Sequence, residues 1–178
     1  MSDDPRYPIG KFVFDGDVSD AARATRIADI EAAPRQLRSA LDGLTQEQLD
    51  SPYRPGGWTL RQVAHHVPDS HMNAYVRFKL ALTENTPTIK PYDEARWAEL
   101  PDTRETPIEV SLALLDCLHR RWVTLLRALD PADFSRTFIH PEQGRATTLD
   151  AALALYAWHG KHHVGHVRVG RGVKGGRG

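Results

Sequence analysis

The sequence predicts an all-α protein folded as a four-helix bundle. Three observations carry this. Four long stretches place apolar residues at helical spacing, several of them open on clear capping signals, and alternating strand patterns are nearly absent. A linker of about 20 residues separates the second long stretch from the third, which a bundle with a crossover connection accommodates.

The elements follow in order. Residues 1–18 hold Pro5, Pro8, Gly10 and Gly16 and lack helical periodicity. Tyr7, Ile9, Phe12, Val13 and Phe14 make this arm too apolar for a solvated tail, so it is expected to pack on the body. The bundle itself is expected over 19–169. Its first helix runs from about Ser19 to Leu44, with Ile27, Ile30, Leu37 and Leu41 on one face. Pro34 lies inside it and is expected to kink or divide it. Thr45-Gln46-Glu47-Gln48 is a capping box for a short helix through Leu49. Thr59-Leu60-Arg61-Gln62 is a second, opening a helix to about Glu84 that contains Pro68. The linker over 85–106 carries Pro87, Pro91 and Pro101, with one short helix expected between Asp93 and Leu100. Thr106-Pro107-Ile108-Glu109 reads as N-cap, proline at the first helical position and an acid in the first turn. The third long helix follows and ends at Asp130-Pro131, with a short extended piece expected at 137–139. Thr147-Thr148-Leu149-Asp150 opens the last helix, to about Val169. The glycine-rich segment 170–178 is expected to be a flexible tail.

Composition excludes several classes. Lys plus Arg and Asp plus Glu are 23 each, so the formal charge is zero. A basic surface for nucleic acid is not expected, and 8% aromatic residues argue against a base-stacking platform. No run approaches the ~18 apolar residues of a membrane span. The N-terminus has early acids and no apolar run. The single cysteine, Cys117, cannot form an intrachain disulfide. Together these predict a cytoplasmic protein with no membrane or nucleic-acid partner. Cys117 itself reads as a small core hydrophobe.

The unusual count is nine histidines. His65, His66 and His71 fall on the second long helix, His119 on the third and His140 in the last connection. His159, His162, His163 and His166 crowd the fourth. Residues four apart share a helix face, so His159 with His163, or His162 with His166, can bind one ion. The stripe Ala152, Leu155 or Tyr156, His159, His163 continues an apolar face and favours the first pair. Taken alone, H-x-x-x-H is a weak signal, better explained by two partly exposed histidines at a helix end. A third imidazole from a facing helix strengthens the metal reading. His65 and His66 point about 100° apart, so only one can be central. His66 shares its face with Asp69, Ser70 and Asn73, polar residues that are costly to bury unless paired, and is preferred.

Three imidazoles leave an open coordination position, the pattern of a catalytic rather than a structural site. An ion there lowers the pKa of water, and the same position accepts a thiolate. Asp69, Asn73 and Arg77 are the candidates for catalytic groups. Arg61 and Arg77 offer planar forks for a carboxylate, although most arginines are solvated. Trp58 reads as a core anchor rather than a substrate wall. His71, one turn from Tyr75, is placed at a pocket or a dimer contact. His119, beside Arg120 and Arg121, reads as part of a solvated face. His162 and His166 read as surface or supporting residues.

The string YRPGGWTLRQVAHHVPDSHMNAYVRFKLALTENTPTIKPYDEARW, with WHGKHHVGHV near the end, resembles the YfiT group of the DinB-like superfamily. The resemblance runs from Tyr7 to about Val169. It implies a four-helix bundle that forms homodimers. It implies one divalent metal per chain, zinc or nickel, held by one histidine of the second helix and an H-x-x-x-H of the fourth, here His66, His159 and His163. It further implies a small-molecule substrate. The reaction is either hydrolysis or transfer of a low-molecular-weight thiol such as bacillithiol onto an electrophile. Pro68 departs from the helix-former expected there. The resemblance favours S-transfer over hydrolysis, and the lack of an obvious Glu to serve as acid or base agrees with that. A non-catalytic metal-binding stress protein, and a structural bundle with incidental histidines, are the readings from other classes.

Overall fold

The computed structural model describes residues 4–142 and 144–172. Four long helices form the bundle: α1 (Asp20–Leu41), α3 (Leu60–Thr83), α6 (Ile108–Ala128) and α8 (Leu149–Gly170). Short helices lie between them: α2 (Gln46–Leu49), α4 (Glu94–Trp97), α5 (Pro101–Glu105) and α7 (Pro131–Phe134). Strands β1 (Thr137–His140) and β2 (Arg145–Thr148) pair as an antiparallel hairpin, Thr137 opposite Thr148. Of the tail expected over 170–178, residues 173–178 lie outside the described residues.

Capping chemistry sets most helix starts. The Ser19 hydroxyl accepts from the Ala22 N–H, Thr45 and Thr59 complete the two expected capping boxes, and Thr148 accepts from Ala151 N–H. One start differs from expectation. Thr106 is the C-cap of α5, its N–H bonded to the Asp102 carbonyl, so Pro107 becomes the N-cap of α6 without a side-chain bond. The linker therefore holds two short helices rather than one, and Asp130-Pro131 does more than end α6. Asp130 caps α7 with a capping box to Asp133. Pro34 does not divide α1, nor Pro68 α3.

The chain direction of each helix follows from its contacts. Residue pairs Arg23–Asp150 and Ala33–Gly160 run α1 parallel to α8. His65–Ser111 and His71–His119 run α3 parallel to α6. His66–His163 and Arg77–Tyr156 make α3 antiparallel to α8, and these three relations together leave α6 antiparallel to α1, which it meets through His119–Ile30 and Arg127–Glu31. A parallel α3–α6 pair requires the intervening chain to return along the bundle, and that is the work of the proline-rich linker. The linker is tied down on the way. Gln62 Nε2 donates to the Ala98 carbonyl at 3.0 Å, and Ile89 N–H donates to Ile139 O at 3.0 Å.

Two apolar clusters fill the interior. One gathers Ile27, Ile30, Phe78, Trp122, Leu126, Leu149 and Leu153. The other gathers Leu37, Leu41, Leu60, Val63, Ile108, Leu115, Val164 and Val167. Between these clusters α3, α6 and α8 place His66, His71, His119, His159 and His163, a polar layer clamped between two apolar ones, while α1 contributes Ala33 and Pro34 there. Gly160 lets α1 approach α8 here, since a Cβ would stand 3.0 Å from that of Ala33. The arm lies against α8. A Cβ at Gly165 would meet Pro8 Cγ at 2.8 Å, Phe12 packs on Trp158, and Asp15 pairs with Arg26 at 2.8 Å. Cys117, expected in the core, is exposed, because Leu115, His119 and Trp122 take the inward positions of α6.

Among the described residues one ion pair is buried. Arg23 makes a fork to both carboxylate oxygens of Asp150, each at 2.8 Å, with side-chain exposures of 10% and 4%. Removing one partner of such a pair leaves the other charged and dry. Asp150→Ala is expected to cost about 3–5 kcal/mol in urea unfolding. Asp20→Ala, which removes the exposed partner of the same arginine, is expected to cost about 0–1 kcal/mol. Equal losses in the two variants would contradict the burial argument.

Candidate metal centre

Helix α3 brings one imidazole and α8 brings two. One ligand-capable nitrogen from each of His66, His159 and His163 lies within 4.8 Å of the others. His66 sits 4.8 Å from His163 and 5.4 Å from His159, ring centre to ring centre. The Nε2 atoms of His159 and His163 face each other at 3.2 Å. The structure separates His65 from His66. His65 turns to α6 and meets Ser111 Oγ at 2.7 Å, while His66 turns to α8.

Burial dominates the electrostatics. Desolvation lowers the His66 pKa to about 4, and the nearest charge effect, from His166, acts the same way. His159 and His163 are held well below the ordinary value, first by desolvation and then by neighbouring imidazoles. All three are therefore neutral at pH 7 with lone pairs available, the state a metal needs. Three neutral nitrogens at this spacing fit a borderline divalent ion such as zinc or nickel.

The three histidines line one cavity of about 400 Å³, shared with Trp58, Ser70, Arg77, Glu94, Phe138, His140, Leu155 and Trp158. Arg77 Nη1 donates to Tyr156 Oη at 3.0 Å, and Arg77 Nε is buried without a partner. His140 Nδ1 is likewise unpartnered. Partial withdrawal from water raises the Glu94 pKa. Two of the three candidate catalytic residues stand elsewhere. Asn73 donates its amide to the Asp69 carbonyl of its own helix. Neither Asp69 nor Asn73 lines the cavity, and the Asp69 pKa is raised to about 6, first by burial and then by Asp102 of α5. Arg61 pairs with Asp50 at 2.6 Å, away from the site.

Sequence reasoning missed Glu94 and His140, which enter from the linker and the hairpin, segments without a periodicity to aim them. Trp58 is a wall as well as an anchor, its ring 4.6 Å from that of His66. His119, read as solvated, is 1% exposed and deep in the bundle. His71 is fully buried, and His162 and His166 are buried too. The signal for His119 was its place on the apolar stripe of α6, three residues before Trp122.

A bundle whose buried polar layer opens three imidazoles onto a cavity defines a class of helical protein with a candidate three-histidine metal centre. Residues 29–167 match the profile of the DinB superfamily, and the chain belongs to that superfamily. The solved structure of YfiT from Bacillus subtilis superposes with a TM-score of 0.91 at 48% identity, covering 94% of this chain and 96% of that one. YfiT is described as a probable metal-dependent hydrolase with an unusual four-helix bundle topology. A protein of Bacillus mycoides, provisionally named a metal-dependent hydrolase, is 57% identical over 164 residues, 92% of this chain and 94% of its own length. A similarly named protein of Bacillus cereus is 56% identical over 164 residues, with the same coverage of both chains. Among the described residues no helix is long and apolar enough to cross a membrane.

The depressed histidine pKa values fix a pH dependence. Between pH 6.5 and about 4 the unfolded chain binds protons that the buried imidazoles refuse, as at His66, His119 and His162. Stability is thus fully present above pH 6.5 and is lost as pH falls towards 4. Each such histidine contributes a slope of about 1.4 kcal/mol per pH unit. Asp69, raised to about 6, and Glu94, also raised, act in the opposite sense but are outnumbered by the histidines. Urea midpoints of the metal-free protein at pH 7 and pH 5 are expected to fall steeply on acidification. A flat profile would contradict the neutral layer.

Proposed function

We propose that the protein is a divalent-metal-dependent hydrolase of a small molecule, with His66, His159 and His163 as the metal ligands. One observation carries the reading: three neutral imidazoles converge at the wall of an open cavity and leave the cavity side of the centre free. A divalent ion held there supplies Lewis-acid chemistry, acidifying a water or thiol and polarising a substrate oxygen. The chain's own groups do the rest. Glu94 and His140, lining the same cavity, are within the set that can take and return a proton. Arg77, with its unpartnered Nε, offers a fork to an anionic or carbonyl oxygen of the substrate. Trp58, Phe138, Leu155 and Trp158 form an apolar wall that selects a substrate with a hydrophobic portion. The names of the relatives support hydrolysis over the S-transfer that the resemblance favours, and Glu94 in the cavity lining offers an acid–base group. Pairing of two copies belongs to the same reading, as Met72, Val76, Val110 and Leu114 are exposed on α3 and α6.

The test is turnover by the zinc- and nickel-loaded protein on a panel of esters and amides, beside a panel of electrophiles offered with low-molecular-weight thiols. Thiol-independent cleavage that chelation abolishes is expected. Glu94→Gln is expected to lower kcat by about 10²–10⁴-fold with metal content unchanged. Turnover that requires a thiol would replace hydrolysis by S-transfer at the same centre.

A further inference from the structure

Two chains of imidazoles lead away from the centre, and each ends on a backbone carbonyl. The first runs from His159 Nδ1 to His71 Nε2 at 3.0 Å, from His71 Nδ1 to His119 Nε2 at 2.8 Å, and from His119 Nδ1 to Ile30 O at 2.6 Å. The second runs from His163 Nδ1 to His166 Nδ1 at 3.3 Å, and from His166 Nε2 to Arg6 O at 3.2 Å. The Ile30 carbonyl is available because Pro34, four residues on, has no N–H to donate to it.

A carbonyl only accepts, and a neutral imidazole has one N–H and one lone pair. The direction of every bond then follows. His119 donates from Nδ1 to Ile30 and so accepts at Nε2. His71 must donate from Nδ1 and accept at Nε2. His159 must donate from Nδ1, which leaves its Nε2 as a lone pair. By the same steps His166 donates from Nε2 to Arg6, His163 donates from Nδ1 to His166, and His163 Nε2 is a lone pair. The chains meet at the 3.2 Å contact between these two Nε2 atoms. Neither carries a proton, so the contact repels until a cation stands between them.

We infer that His71, His119 and His166 are positioning residues, holding His159 and His163 as the Nδ1–H tautomers whose Nε2 lone pairs face the site. The inference rests on the metal-centre reading and assigns the supporting shell that reading leaves out. Ligating histidines commonly donate their second nitrogen to a carboxylate or carbonyl. Here imidazoles extend that bond to carbonyls of α1 and the N-terminal arm. The centre is thereby coupled to two segments that contribute no ligand. The first chain has the shorter bonds and is expected to matter more.

The experiment has two arms. Long-range proton–nitrogen correlation spectra of the metal-free, histidine-labelled protein are expected to show pyrrole-type Nδ1 and pyridine-type Nε2 at His159 and His163. The reverse tautomer at either residue would overturn the inference. In the second arm, zinc(II) affinity is measured by competition with a chelator. His71→Leu removes the acceptor and is expected to weaken binding about 10–100-fold. His71→Gln places a carbonyl oxygen near the lost Nε2 and is expected to restore most of it. His166→Leu against His166→Asn repeats the comparison at the Nδ1 position, with a smaller effect. Equal losses in the paired variants would show a packing role only and overturn the inference. If His71→Leu does not fold, the His166 pair and the spectra decide. If the wild-type protein binds no zinc, the metal reading falls, and the nitrogen spectra alone decide the tautomers.

Discussion

The constraint on which the structure depends is the burial of a layer of imidazoles between two apolar clusters. Imidazole can be buried there neutral, donate from one ring nitrogen, and give the lone pair of the other either to a neighbouring N–H or to an ion near pH 7. Carboxylates in the same place would need partners, as Asp150 shows by taking both forks of Arg23. The charges felt by His159 and His163 are those of other histidines. The layer therefore stays uncharged through mutual desolvation, and the lone pairs converge where α3 and α8 face each other.

The topology serves this layer. Because α3 runs parallel to α6 and antiparallel to α8, His71 can bridge between His119 on one side and His159 on the other. The same parallel pairing needs a long return, and the linker that provides it lends Glu94 to the cavity. The hairpin that follows α7 lends Phe138 and His140. In the proposed reading the bundle core supplies the ligand set, and the irregular segments supply the groups that would meet a substrate. Such a division keeps the ligands on rigid helices while leaving the substrate wall free to vary.

Much of the fold was legible in the sequence. Ser19, Thr45, Thr59 and Thr148 announce helix starts that the structure reproduces within a residue or two, because capping is a local interaction. The Thr106 start failed since α5 ends on the same residue, a competition that a window along the chain does not register. The H-x-x-x-H spacing brought His159 and His163 to one face, and polar neighbours favoured His66 over His65. Asp69 and Asn73 misled because a shared helix face is broad, and only Ser70 of that polar group turns to the cavity. Cys117 and His119 exchange their expected places, because His119 lies on the buried flank of α6 with Leu115 and Trp122 and Cys117 does not. Glu94 and His140 were invisible for a different reason: their positions depend on how the linker and the hairpin fold over the bundle.

The most direct test of the central claim is metal content per chain, measured by plasma mass spectrometry on protein purified without a histidine tag. Wild type is compared with His66→Ala, His159→Ala and His65→Ala. The account predicts close to one divalent ion per chain in wild type and His65→Ala, and loss of that ion in His66→Ala and His159→Ala. Equal retention in all four proteins, or an ion lost with His65 and kept without His66, would contradict it.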